Sequence, residues 1–227
     1  MSKASPANPV ISAIMRLAFG IVIIAAMLFW PAGTFDYWQG WMWLTVLAFA
    51  LAFILVYLAQ RDPALLDRRG RYSETRPEQR IIIALSALLY LAAFLLPGFD
   101  KRFGWSDVPA WVSIAAQIVV AASLVFIFLV YKINTYASRV IEVQDEQQVI
   151  TSGPYALVRH PMYLGMLLMI ILSPLALGSW WAVLPTLALP FILAARAKDE
   201  EALLADELKG YREYMQKTRY RLFPGLW

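Results

Sequence analysis

The 227-residue chain contains no cysteine. Disulfides, thiolate metal ligands and cysteine nucleophiles are therefore excluded. Histidine occurs once, as His160, so a zinc site lacks both of its usual ligand types and no metal is expected. Charge is scarce as well: Asp, Glu, Lys and Arg make up 16% of the residues, against about 25% in soluble domains. Beyond Arg16 the apolar runs hold almost no charge, which argues against an ion or proton pathway through them. Internal repeats and low-complexity linkers are also missing.

Apolar residues fill the space: 60% of the chain is hydrophobic. They fall in runs at roughly 10–30, 38–59, 81–97, 111–131, 161–177 and 180–195. Crossing the ~30 Å hydrocarbon core takes about 20 helical residues. The first, second and fourth runs reach that length, and the third is slightly short. The last two, separated only by "LGSW", are expected to form a tight helical hairpin with both ends on one side. The expected fold class is all-α, a polytopic membrane protein with about five to six transmembrane helices. The first run, behind Lys3, ends in "FWPAG" without an A-x-A cleavage pattern, so it reads as a retained span. Residues 1–131 form the N-terminal transmembrane part, and 132–227 the hairpin and C-terminal helix.

Charge asymmetry orients the spans. The 60–80 segment holds Arg61, Arg68, Arg69, Arg71, Arg76 and Arg80; Lys132, Arg139 and Arg159 follow in the 132–160 loop. The region after Ala195 adds Arg196, Lys198, Lys209, Arg212, Lys217, Arg219 and Arg221, whereas the opposite loops hold only Lys101 and Arg102. Positive charge marks the cytoplasmic side, so the long loops and both termini are expected there. The net charge of +4 accordingly points to membrane lipids as partners and not to nucleic acid. Trp30, Trp38, Trp41, Trp43, Trp105, Trp111, Trp180 and Trp181 sit at run ends, as an interfacial aromatic belt would. The stretch "ARAKDEEALLADELKGYREYMQKTRY" reads as a cytoplasmic amphipathic helix with Leu203, Leu204 and Leu208 on one side and a break at Gly210. The tail "RLFPGLW" is apolar enough to return to the membrane surface.

One stretch concentrates chemistry: "GPYALVRHPMYLG", residues 153–165. Pro161 suits the first position of a helix, which makes His160 the cap residue. A helix start carries free N–H groups and partial positive charge, a ready anion site, and Arg159 and His160 add donors. After the hairpin, "RAKDEEALL" returns Arg196 and Glu200, four apart on one helical face, to the same side. An anion-binding helix start beside a carboxylate can hold a zwitterion. The same residues also suit plainer roles. Arg159 can snorkel to lipid phosphates, His160 can simply cap, and Arg196 with Glu200 can be an i,i+4 surface pair.

The ordered pattern "VITSGPYALVRHPMYLG", hydrophobic hairpin, "RAKDEEALL" and "GYREYMQKTRYRLFPG" resembles the membrane methyltransferases that include isoprenylcysteine carboxyl methyltransferases and phospholipid N-methyltransferases. The resemblance covers roughly residues 132–227. It implies S-adenosyl-L-methionine as cofactor and a lipophilic acceptor, an isoprenylcysteine-like carboxylate or a phospholipid amine, reached from the bilayer. Carried over by position, Gln147, Gln148, Val149 and Ile150 contact the cofactor. Tyr155, Arg159, His160, Pro161, Met162 and Tyr163 line its pocket. Glu200, with Glu201 beside it, takes the cofactor's ammonium, and Arg196 faces the acceptor; Arg196 and Glu200 are the expected catalytic pair. Membrane sterol reductases share a similar "RHPxY" segment, so an NADPH-dependent reductase is the rival enzyme reading. A non-enzymatic transporter or scaffold is the third.

Overall fold

The computed structural model of the chain describes residues 9–70, 77–138 and 141–227. Arg71, Arg76 and Arg139, used above to orient the chain, lie outside the described residues, as does Lys3. The elements in order are α1 (Pro9–Ala32), α2 (Trp38–Arg61), α3 (Pro63–Arg69), α4 (Pro77–Phe103), α5 (Ala110–Ile133), a 3₁₀ turn (Gly153–Ala156), α6 (Pro161–Ala176), α7 (Val183–Thr186), α8 (Leu189–Glu207) and α9 (Tyr211–Lys217). No strand occurs among the described residues.

Among the described residues four helices, α1, α2, α4 and α5, are long and apolar enough to cross a membrane. Bulky side chains on them, such as Phe19, Phe49, Val56 and Ile118, stand exposed. In water such surfaces would associate; against lipid tails they need no cover. The next helix, α6, has 16 residues and rises only about 24 Å, less than the hydrocarbon core. The run expected as one helix over 180–195 is broken into α7 and the start of α8. Pro190 stands in the first turn of α8, where its missing N–H is tolerated. From there α8 continues without interruption into "RAKDEEALL", so the charged segment is the second half of this helix. The break expected at Gly210 is present: its φ of +87° lies in the left-handed region glycine favours and separates α8 from α9. At the other end of the bundle, α4 runs past the expected boundary at 97 and takes Lys101 and Arg102 into its last turn.

Small residues set the helix spacing. On α4, Gly98 lies against the backbone of α1: a Cβ there would come within 2.5 Å of the Leu28 carbonyl oxygen and of Pro31. Gly165 on α6 faces Ile127 on α5, where a Cβ would meet Cγ1 at 2.7 Å, and α5 against α6 is the most extensive helix pair. Close backbone approach at small residues is how membrane helices gain packing without a hydrophobic driving force. Polar ties close the end opposite His160. Asp100 accepts from the Ser106 hydroxyl at 2.6 Å and from Ser179 at 2.5 Å, and the Tyr37 hydroxyl donates to the Leu177 carbonyl at 2.5 Å. Seven of the eight tryptophans named above are exposed near this end. The exception is Trp43, 1% exposed, whose Nε1 donates to the Ser173 hydroxyl at 3.0 Å; it is a core residue and not part of a belt.

Gly98→Ala should lower stability by about 1–3 kcal/mol, the usual cost of overpacking against a backbone that cannot yield. Gly20→Ala, with no atom within 4 Å of its new Cβ, should not. Thermal unfolding of the two variants in detergent checks this; equal midpoints would mean that α1 and α4 are not held as closely as described.

Candidate functional site

The site begins where α5 ends. Asn134 caps α5 and turns the chain: its Oδ1 accepts from Tyr136 N at 2.9 Å, and its Nδ2 donates to the Tyr155 hydroxyl at 2.6 Å. The loop then folds on itself, with Gln144 Nε2 donating to the Tyr136 carbonyl at 3.0 Å and Gln144 N to Gln147 Oε1 at 2.9 Å. Gly153, at φ +59°, makes the last turn before the 3₁₀ segment; a Cβ there would run into Ile133 Cδ1 at 2.6 Å. The chain next pairs with the tail, as Arg159 N and His160 N donate to the carbonyls of Tyr220 and Arg221, both at 2.9 Å.

A single buried carboxylate joins these parts. Glu201, 3% exposed, accepts from Arg159 Nε at 2.6 Å, from His160 Nε2 at 3.0 Å and from Arg221 Nε at 2.8 Å. Arg159 is itself 7% exposed and uses Nη1 on the carbonyls of Thr218 and Arg219 at 2.8 and 2.9 Å. Burial alone pushes the Glu201 carboxyl up. Hydrogen bonds from His160 and Arg159, and their charges, outweigh it and bring the pKa down to about 2. A carboxylate held ionised can only accept, so His160 carries its proton on Nε2.

Beside this knot lies an open cleft enclosing about 870 Å³, counting its mouth. Of the residues expected from the sequence to contact a cofactor, Gln147, Gln148, Val149, Ile150, Tyr155, Arg159, His160, Met162 and Tyr163 line it, as does Glu200. Pro161, Glu201 and Arg196 do not. Pro161 is buried in the first turn of α6, and Glu201 faces the knot. Arg196 stands behind Tyr163: its Nε donates to the Tyr163 hydroxyl at 3.0 Å, which in turn donates to Glu200 Oε2 at 2.5 Å. Arg196 Nη1 also donates to Gln79 Oε1 at 2.8 Å, and Gln79 Nε2 bonds Asp199, which ties α4 to α8. Arg196 and Glu200 are thus linked through Tyr163 as well as through their shared helix.

The cleft has two ends. At one, the His160 ring stacks on Tyr163 with centroids 5.3 Å apart, and His160 Nδ1 lies 3.6 Å from Glu200 Oε2. Glu200 Oε2 is thus a carboxylate acceptor on the cleft wall, and it suits a cationic donor. At the other, Val149 packs with Leu204, Leu208, Tyr211 and Tyr214, an apolar wall fit for a flat ring. Burial pushes the Tyr155 and Tyr211 hydroxyls well above their ordinary range and Tyr214 up to about 12, so all three stay neutral near pH 7. Asn134, Glu142, Tyr211 and Tyr214 went unnoticed as site residues in the sequence. The spacing of Leu204 and Leu208 did mark an apolar face, the one signal that could have reached the far wall. Among the described residues no group of acidic or imidazole side chains could hold a metal ion.

Residues 113–206 match the family model described as the Isoprenylcysteine carboxyl methyltransferase (ICMT) family, the resemblance drawn above from the loop and helix pattern. The matched segment starts inside α5 and ends in α8, so it begins earlier than residue 132 and stops short of α9 and the tail. A search of curated proteins gave no significant match. The matched segment and the apolar helices together point to an integral membrane protein, and the segment is similar to that of a methyltransferase family.

Because the folded pKa of Glu201 lies below the ordinary 4.5, its ion pairs stabilise fully above pH 4.5 and lose that effect as pH falls toward 2. The difference corresponds to roughly 3 kcal/mol. Glu201→Gln, which leaves buried charges unpaired, should cost about 3–5 kcal/mol at pH 7 and flatten the fall in unfolding temperature between pH 4.5 and 2. A variant with the wild-type pH profile would show that Glu201 does not govern it.

Proposed function

We propose that this chain, whose residues 113–206 carry the ICMT family segment, is an S-adenosyl-L-methionine-dependent methyltransferase acting on a lipophilic acceptor. The observation that carries this reading is the charge of the cleft. Among the described residues its ionisable lining, besides tyrosines, consists of Glu142, Glu200, Arg159 and His160, and the last two are already engaged by Glu201. What is left is negative. A ligand with one net positive charge suits such a cleft, and a dinucleotide bearing several phosphates does not, which disfavours the NADPH-dependent reductase reading.

S-adenosyl-L-methionine, when bound, supplies an electrophilic methyl group on a sulfonium. The chain's part is to bind and orient. Glu200 Oε2 offers a carboxylate acceptor for an ammonium. Val149, Leu204 and Leu208 offer an apolar wall for the base, with Gln147, Gln148 and Ile150 along the loop side. Tyr163 separates this cleft from Arg196, which stands where an acceptor's anionic group could be held. A carboxylate acceptor is ionised at neutral pH and needs no general base, so positioning of two reactants is the main catalytic contribution. The acceptor is either an isoprenylcysteine-like carboxylate or a phospholipid amine, and it reaches Arg196 from the bilayer. The cleft end faces the cytoplasm, because Arg61, Arg68, Arg69, Arg80 and Lys132 cluster there while only Lys101 and Arg102 mark the opposite end.

Titration calorimetry with S-adenosylhomocysteine in nanodiscs tests the reading. The wild-type chain should bind it and should not bind NADPH. Glu200→Gln should weaken binding by about 10- to 100-fold, the value of one charge-assisted hydrogen bond. NADPH binding without S-adenosylhomocysteine binding would reverse the assignment.

Orientation has its own check, which the lack of cysteine makes clean. In intact expressing cells, an impermeant maleimide should label Asp107→Cys and spare Lys209→Cys. The reverse pattern would invert the proposed topology.

A further inference from the structure

Arg16 is the one charge inside the first span, and the function proposed above does not use it. It stands seven residues into α1, about 10 Å from the helix start, on a surface where Ile11, Met15 and Phe19 are exposed. A guanidinium carries five N–H donors and no acceptor. Among the described residues Arg16 has one hydrogen-bond partner, the Gly70 carbonyl, which Nη1 reaches only at 3.4 Å, and no carboxylate pairs with it. Gly70 leaves room for this approach, since a Cβ there would come within 3.0 Å of both Arg16 Nη atoms. A charged side chain at membrane depth is costly and is normally paired. The donors that Gly70 does not use call for an acceptor from outside the chain.

Arg16 also lines a second cavity, which encloses about 780 Å³ counting its open mouth and shares no residue with the cleft. Leu17 of α1 and Leu51, Ile54 and Leu55 of α2 form apolar walls, and Arg69 of α3 lines it too. Arg69 lies over the Tyr131 ring at 5.0 Å and donates from Nη1 to the Ser138 carbonyl at 3.4 Å. Among the described residues these two arginines are the only charged lining; Asp67, on the same short helix, does not line the cavity. From Leu58, beside α3, the α2 wall continues to Leu51, about 10 Å along the helix. The arginines therefore mark one end, and the apolar wall leads from them toward the middle of the span.

We infer that this cavity binds an anionic phospholipid, with its phosphate on Arg16 and Arg69 and an acyl chain along Leu17, Leu51, Ile54 and Leu55. The inference is independent of the cofactor reading. Planar guanidinium forks match phosphate oxygens. Two cations and no lining carboxylate suit a head group of net negative charge, whereas a zwitterionic lipid would bring an ammonium with no carboxylate to meet it. A soluble phosphate would satisfy the arginines and leave the apolar wall uncovered. One amphiphile supplies both.

The experiment uses the full chain in a neutral maltoside detergent and adds dioleoyl phosphatidylglycerol. Native mass spectrometry counts the lipid bound, and thermal unfolding measures the stabilisation that binding confers. The wild-type chain should retain one phosphatidylglycerol and unfold at a higher temperature with it. Dioleoyl phosphatidylcholine, and glycerophosphoglycerol as the same head group without chains, should bind at least about 10-fold more weakly. Arg16→Ala should weaken phosphatidylglycerol binding by about 10- to 100-fold, as loss of charge-assisted hydrogen bonds predicts, and Arg16→Lys should restore part of it. Leu55→Trp, which fills the apolar wall, should weaken it as well. Arg61→Ala removes an exposed charge from the end of α2 that does not line the cavity, and it should leave binding unchanged. Equal binding of phosphatidylcholine would overturn the proposal, because the site would not read charge. Equal binding of glycerophosphoglycerol would make it a soluble-anion site and overturn it too. So would an Arg16→Ala chain that binds as the wild type does, or an Arg61→Ala chain that loses as much as Arg16→Ala.

Discussion

Everything around the cleft depends on one buried carboxylate. Glu201 gathers Arg159, His160 and Arg221 about its two oxygens, and Arg159 passes the connection on to the carbonyls of Thr218 and Arg219. Four stretches far apart in the chain meet there: the loop end, the cap of α6, the middle of α8 and the tail. Desolvating such a cluster is expensive, and apolar packing could match its stability. What apolar contact could not match is direction. Hydrogen bonds to fixed oxygens set the rotation of the His160 ring and the angle at which α8 passes α6, and these decide where Glu200 and Tyr163 point.

Neighbouring residues on α8 consequently do different work. Successive side chains leave a helix about 100° apart. While Glu201 turns into the protein, Glu200 turns to the cleft and meets Tyr163 and His160. The sequence offered "EE" as one acidic pair; the helix divides it into a structural anchor and an open acceptor. A similar division holds for His160, whose Nε2 serves Glu201 while Nδ1 faces Glu200. The imidazole precedes Pro161 because that cap position lets one ring touch both carboxylates, and not because it is a free anion donor.

What could be read from the chain was local. Apolar runs gave α1, α2 and α5 closely, since length and hydropathy act residue by residue. The strip from Gln147 to Ile150, Tyr155 and the "HPMY" residues could be placed together because they lie within one short segment, and most of them line one cleft. The broken run at 180–195 was hidden because hydropathy is blind to where Pro185 and Pro190 restart a helix. Trp43 looked like its exposed neighbours until its partner Ser173, 130 positions away, was known. Arg159 and Glu201, 42 apart, form a contact that no periodicity announces.

The central claim is that the polar cleft and the lipid-facing helices serve one reaction. The most direct measurement is transfer of an isotopically labelled methyl group from S-adenosyl-L-methionine to lipid extract by the purified chain in nanodiscs, followed by mass spectrometry of the lipid phase. The account predicts label in a lipophilic product, lost in Glu200→Gln at limiting cofactor. Label confined to the cofactor, with every lipid fraction unmodified across a broad set of extracts, would contradict it.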